Sequence, residues 1–88
     1  MPSYTVRLVP HARRQLRALD PQARRQLEPA LRALADDPRP PGVKALQGRR
    51  GYLRIRVGNY RIVYQVRDAE LLVLVVQLGH RREVYRDA

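Results

Sequence analysis

Gly51-Tyr52-Leu53-Arg54-Ile55-Arg56-Val57-Gly58-Asn59-Tyr60-Arg61-Ile62-Val63-Tyr64-Gln65-Val66-Arg67 is the stretch whose reading decides the fold. Residues 52–57 set Leu53, Ile55 and Val57 on one side and Tyr52, Arg54 and Arg56 on the other. Residues 60–67 alternate again, with Tyr60, Ile62, Tyr64 and Val66 against Arg61, Val63, Gln65 and Arg67. A period of two is the mark of a strand that turns one face to a core. Gly58–Asn59 between the runs is a two-residue hairpin signal, because both residues tolerate positive φ. The stretch therefore predicts a hairpin with an apolar face and a basic face.

On the C-terminal side, Asp68–Ala69 reads as a turn and residues 70–78 as a third strand. Leu71–Val76 is apolar on both faces, which predicts a central strand with helices over one face. The chain then leaves the sheet through Gly79-His80-Arg81-Arg82-Glu83-Val84-Tyr85-Arg86, a turn and a final short helix or extended tail. On the N-terminal side, residues 4–9 carry strand-favouring Tyr4, Thr5, Val6 and Val9. Pro10 suits the first turn of a helix over 10–19, with Ala12, Leu16 and Leu19 as its stripe. Asp20–Pro21 reads as an N-cap followed by proline at the first helical position. The second helix runs to about Ala35 on a stripe of Ala23, Leu27, Ala30, Leu31 and Leu34, with a kink expected at Pro29. Residues 36–42 make a stiff extended connector, and residues 43–51 a polar, irregular approach to the sheet anchored by Val43 and Leu46. The expected architecture is α+β: an N-terminal strand, a helical hairpin, three antiparallel strands and a short C-terminal helix or tail, in a single domain spanning 1–88.

The chain has 88 residues, 18 Lys+Arg against 8 Asp+Glu, and a formal net charge of +10. Lys44 is the only lysine, so the positive charge is almost all guanidinium. Arginine stays charged, forks onto phosphate and stacks on bases. The segment 49–67 holds Arg49, Arg50, Arg54, Arg56, Arg61 and Arg67 without one acid. Such a balance on so small a body points to a polyanion partner, nucleic acid first and an acidic protein second. No cysteine means no disulfide framework and no thiolate zinc site. No long apolar run marks a signal peptide or membrane span, and a reducing cytoplasm suits the chain.

Two groups of residues could carry chemistry. Arg54 and Arg56 point the same way from one strand, and Arg61 joins them only if the hairpin register allows, which sequence leaves open. Together they would hold a phosphate and stabilise charge developing on it. The second group is the run after the last strand. Arg81 could clamp phosphate, Tyr85 could stack a base or carry a proton, and His80 is the other proton carrier. Tyr52, Tyr60 and Tyr64 read as core or half-buried packing aromatics, and His11 as exposed. Glycine-rich phosphate loops and paired metal-ligand histidines are missing, so any catalysis is expected to run without metal or cofactor.

The strings Tyr60-Arg61-Ile62-Val63-Tyr64-Gln65-Val66 and Val76-Gln77-Leu78-Gly79-His80-Arg81-Arg82-Glu83-Val84-Tyr85 together resemble the RelE/ParE superfamily of bacterial type II toxin–antitoxin toxins, as does Gly51–Val57 before them. The resemblance covers essentially the whole chain and favours the RelE branch. It implies the RelE-like microbial RNase fold and a toxin that a co-expressed antitoxin neutralises. It also implies ribosome-dependent mRNA cleavage, in which the ribose 2′-hydroxyl attacks the adjacent phosphate. Motif to motif, the family's basic pair falls on Arg54 and Arg56, and its other site residues on Arg61, Arg81 and Tyr85. The implied roles are charge stabilisation by Arg61 and Arg81, stacking and proton transfer by Tyr85, and phosphate binding by Arg54 and Arg56. Arg49, Arg50, Arg67, Arg82 and His80 are the further expected RNA contacts. The family's pair is lysine where this chain has arginine. Arginine does not shuttle a proton, so the acid role moves toward His80 or Tyr85. The competing reading is a ParE-like toxin that binds DNA gyrase without catalysis; a third is an inactive remnant or a designed chain on this scaffold.

Overall fold

A computed structural model describes residues 3–80; the expected C-terminal helix or tail lies outside them. The chain order is β1 (Thr5–Leu8), α1 (Pro10–Ala18), α2 (Pro21–Ala33), β2 (Lys44–Ala45), β3 (Tyr52–Val57), β4 (Tyr60–Arg67), a 3-10 turn (Asp68–Glu70) and β5 (Leu72–His80). Proline opens both helices, where its missing N–H has no helical partner to lose. Asp20 caps α2, its carboxylate accepting from the Ala23 amide at 2.8 Å. The Arg24 guanidinium reaches back to the C-terminal end of α1 and donates to the Leu19 carbonyl at 2.7 Å. Pro29 does not end α2, which runs through it to Ala33.

One mixed sheet carries the strands in the order β1-β5-β4-β3-β2. β1 lies parallel to β5, and the remaining neighbours are antiparallel. Both helices supply one face of the core. Ala12, Leu27, Leu31 and Leu34 pack with Ile55, Ile62, Tyr64, Val73, Val75 and Leu78 in one cluster. Leu27 is fully buried, worth about 1.5–3 kcal/mol relative to an exposed side chain. Tyr64 closes the core from the sheet side, its hydroxyl donating to the Pro38 carbonyl at 2.7 Å. That bond ties the proline-rich connector down onto the sheet.

Four features depart from the sequence reading. The central strand is β4, with β5 one place nearer the parallel edge. β5 starts at Leu72 and keeps Gly79 and His80 within the strand, because the 3-10 turn takes up residues 68–70 and Leu71 bends the chain at φ 49. The register between β4 and β5 also shifts: Val63 faces Gln77 and Tyr64 faces Val75, so Val76 is the extra residue of a bulge. The bulge explains the run that looked apolar on both faces. Val73, Val75 and Leu78 are fully buried on the core side, while Leu72 and Leu74 on the other face are only half-buried. Finally, the irregular approach contains a two-residue strand, β2, held by Leu46 donating to the Tyr52 carbonyl at 2.9 Å and by pairing of Lys44 with Arg54.

Candidate nucleic-acid interface

The register decides which side chains share the face opposite the helices. Residues directly opposite on neighbouring strands project to the same side. Arg56 faces Arg61, and Arg61 faces Gly79. The next row is Lys44, Arg54, Val63 and Gln77. Arg61 therefore joins Arg54 and Arg56, which the sequence had left open. Lys44 joins them too, and sequence reasoning missed it. A two-residue strand has too few positions to show alternation, so only its pairing with Arg54 reveals its side.

Two like-charged pairs thus stand directly across from each other in adjacent rows, Arg56 with Arg61 and Lys44 with Arg54. Cβ atoms of such pairs sit only about 4.5–5.5 Å apart, and like charges there destabilise a sheet. Gly79 beside Arg61 contributes no side chain to the row. Arg61 itself is 1% exposed. Taking a guanidinium that far from water is costly unless opposite charge or hydrogen bonds compensate. Arg54 is half-buried; Arg56 and Lys44 are exposed. The set runs from a buried cation to exposed ones, so an anion on this face would meet Lys44, Arg54 and Arg56 with Arg61 behind them.

The other expected contacts divide. Arg49 and Arg50 lie on the loop before β3 and line a cleft on this same face with Tyr52 and Gln77. Arg67 shares the face but lies six residues beyond Arg61 along β4, roughly 20 Å away, and pairs with Glu70 at 3.8 Å. It is not part of the cluster. His80 faces Tyr60, on the helix side of the sheet, with the two rings edge-to-face at 5.9 Å. The extension of β5 is what turns it away from Arg61. Arg81, Arg82 and Tyr85 lie outside the described residues. Tyr64 offers no substitute base: burial pushes its phenol up to about 12, and it serves the core. Among the described residues, no group of three His, Asp or Glu side chains gathers as a metal would require. Among them, too, no helix is long and apolar enough to cross a membrane.

Fold and face together define a small α+β protein whose sheet gathers Lys44, Arg54, Arg56 and Arg61 on the face opposite its helices. The comparisons place it further. The family model of the ParE toxin of type II toxin–antitoxin systems matches residues 6–85. Toxin RelG of Mycobacterium tuberculosis is 32% identical over 84 residues, 94% of this chain and 97% of that protein. In the solved RelBE2 toxin–antitoxin complex of Mycobacterium tuberculosis, one chain superposes with TM-score 0.79 at 31% identity, covering 92% of this chain and all of that one. The isolated RelE toxin of Escherichia coli gives TM-score 0.76 at 32% identity, covering 96% of this chain and 93% of that one. The chain belongs to the RelE/ParE superfamily of type II toxin–antitoxin toxins.

Proposed function

We propose that this toxin is an endoribonuclease of the RelE kind, acting on mRNA in the ribosome. The observation that carries the reading is the pair of like-charged cross-strand contacts, Arg56 with Arg61 and Lys44 with Arg54. A phosphate between them turns mutual repulsion into attraction. In the proposed reaction the ribose 2′-oxygen bonds to phosphorus and gives up its proton. The bond to the 5′-oxygen breaks, and that oxygen gains a proton. The products are a 2′,3′-cyclic phosphate and a 5′-hydroxyl end. The nucleophile belongs to the RNA itself, so the reading invokes no metal or cofactor. Arg54, Arg56 and Arg61 stabilise the extra negative charge of the pentacovalent transition state. By resemblance, Arg81 adds to that charge stabilisation, and Tyr85 stacks the base and moves the proton. Arginine cannot supply protons here, and His80 stands on the other side of the sheet. This leaves Tyr85 as the proton carrier the resemblance offers.

The reading includes a cognate antitoxin as partner, supported by the RelBE complexes among the structural neighbours. An acidic or amphipathic antitoxin segment laid on this face would neutralise the same charges. The cytoplasm, where ribosomes and mRNA are, is the compartment it requires. The match to the ParE family model supports a second reading, a non-catalytic toxin that binds DNA gyrase.

Inducing the toxin without antitoxin and mapping transcript 5′ ends separates the two. The nuclease reading expects codon-phased cuts within translated mRNA, lost in Arg81→Ala and Tyr85→Phe. Intact transcripts with stalled gyrase and broken DNA would establish the second reading instead.

A further inference from the structure

A cleft of about 600 Å3 opens beside the arginine rows, lined by His11, Arg49, Arg50, Tyr52, Val76 and Gln77. Its size falls in the ~300–1,000 Å3 range of clefts that hold small ligands. The walls come from the first turn of α1, the loop before β3 and the bulged part of β5. Two observations tie it to the face already described. Gln77 lies in the same cross-strand row as Lys44 and Arg54. Tyr52 precedes Arg54 by two residues on the same side of β3, about 6.6 Å along the strand. The cleft is therefore the next step along one continuous surface.

Its chemistry is more than cationic. The Arg49 guanidinium carbon lies over the Tyr52 ring, 5.8 Å from its centre, so the two are layered one on the other and a base can extend that stack. Guanidinium planes and tyrosine rings both take nucleobases by stacking. Tyr52, read from sequence as a packing aromatic, is only half-buried and faces away from the core. Gln77, 4% exposed, brings an amide with both donor and acceptor capacity to the cleft lining. Arg50 and His11 are exposed at its walls, and no acid lines it. Among the described residues, no carboxylate bonds Arg49 or Arg50. A site for a bare anion would need the cations alone. Cations, a stacking platform and an amide together suit a nucleotide. A duplex keeps its base faces stacked inside, so only a single strand can offer one.

We propose that this cleft is a second nucleotide subsite, holding the base of the single-stranded RNA residue next to the phosphate gripped by Lys44, Arg54, Arg56 and Arg61. Arg49 and Tyr52 stack the base, Gln77 reads its edge, and Arg50 and His11 meet its phosphate. The inference rests on the RNA reading above and deepens it.

The test uses the full chain and 5′-fluorescein oligoribonucleotides of one to six residues, with every ribose 2′-O-methylated so that no cleavage occurs. Binding is read by fluorescence anisotropy across a salt series. Wild-type affinity is expected to rise as the probe lengthens beyond the first subsite. In Arg49→Ala/Arg50→Ala that gain falls about 10-fold at 0.1 M salt, and the slope of log affinity against log salt flattens by roughly 0.7, the one phosphate contact of Arg50. Tyr52→Leu weakens the longer probes at least ~5-fold, since stacking is worth about 1–3 kcal/mol per base, yet leaves a probe abasic at that position unaffected. Arg49 and Arg50 are exposed loop residues, so melting temperatures matching wild type are expected to confirm folded variants. If these variants bind every probe as wild type does while Arg54→Ala/Arg56→Ala loses affinity, the cleft is no subsite and the RNA reading stands. If the wild type binds no probe at any length or salt, the subsite is overturned, while the RNA reading is decided separately by cleavage of mRNA on translating ribosomes. If the variants lose only antitoxin affinity, the cleft is a protein contact and the proposal is overturned.

Discussion

Gln15 shows how a single side chain replaces a missing strand. β1 ends at Leu8, opposite Val75, and among the described residues no strand pairs with the β5 edge beyond that point. The Leu78 amide would be left unpaired beside the core. Gln15, on the helix that follows β1, accepts from it at 2.9 Å. Substituting Gln15→Ala orphans a half-buried amide, and we expect a loss of about 1–2 kcal/mol in urea unfolding. Gln15→Glu should retain most of it, since a carboxylate oxygen can accept the same bond. Arg24 acts in the same spirit at the end of α1. Not every arginine in this basic chain is there to meet a polyanion.

Between β4 and β5 the backbone is bent at a residue poorly suited to it. Leu71 holds φ 49, the only non-glycine among the described residues in the left-handed region, and its side chain is 40% exposed. A left-handed conformation costs an ordinary L-residue roughly 1–2 kcal/mol. Leu71→Gly removes the steric penalty and loses little burial. We expect stability to rise by about 0.5–1 kcal/mol in chemical denaturation, with the fold unchanged by circular dichroism. At this scale the sequence was most legible where a face meets a core. Leu53, Ile55, Ile62 and Tyr64 announce β3 and β4 because each strand spends alternate residues on the helices behind. Gly58, at φ 60, closes that hairpin as expected, with Asn59 needing no positive φ. The bulge at Val76 and the late start of β5 were not legible. Sliding a uniformly apolar run past its neighbour changes no residue's polarity, so pattern reading sees no difference. The same blindness put His80 in a turn rather than at the end of β5.

For the whole molecule, three segments distant in sequence meet at Asp68. Tyr4 donates to Asp68 at 2.6 Å, and Arg39 forks onto both carboxylate oxygens at 3.2 and 2.9 Å. This joins the entry to β1, the proline-rich connector and the β4–β5 turn. The Arg39 and Tyr4 hydrogen bonds hold the Asp68 carboxyl down at about 2. A depressed carboxylate contributes stability fully present above its unfolded value near 3.9 and lost as pH falls toward 2. Asp68→Asn should therefore lower the melting temperature at pH 6, with the difference from wild type closing between pH 4 and 2. A constant gap across that range would mean the ion pair is not what joins the segments.

The net charge of +10 acquires its meaning at this scale as well. Composition led to the expectation of a polyanion partner, but only strand register gave the charge its place, in two rows that carry Lys44, Arg54, Arg56 and Arg61. Lys44 was invisible beforehand because its neighbour on the sheet lies ten residues away in sequence. In the proposed reaction these rows hold the phosphate of the RNA being cut. The most direct measurement of that reaction incubates the purified toxin with ribosomes translating a defined mRNA and analyses the fragment termini. Fragments ending in a 2′,3′-cyclic phosphate at codon-phased positions are expected, reduced at least 100-fold by Arg54→Gln/Arg56→Gln with the melting temperature preserved. Full-length mRNA after incubation with the folded wild-type toxin, or cleavage unchanged in that double variant, would contradict the proposed reaction.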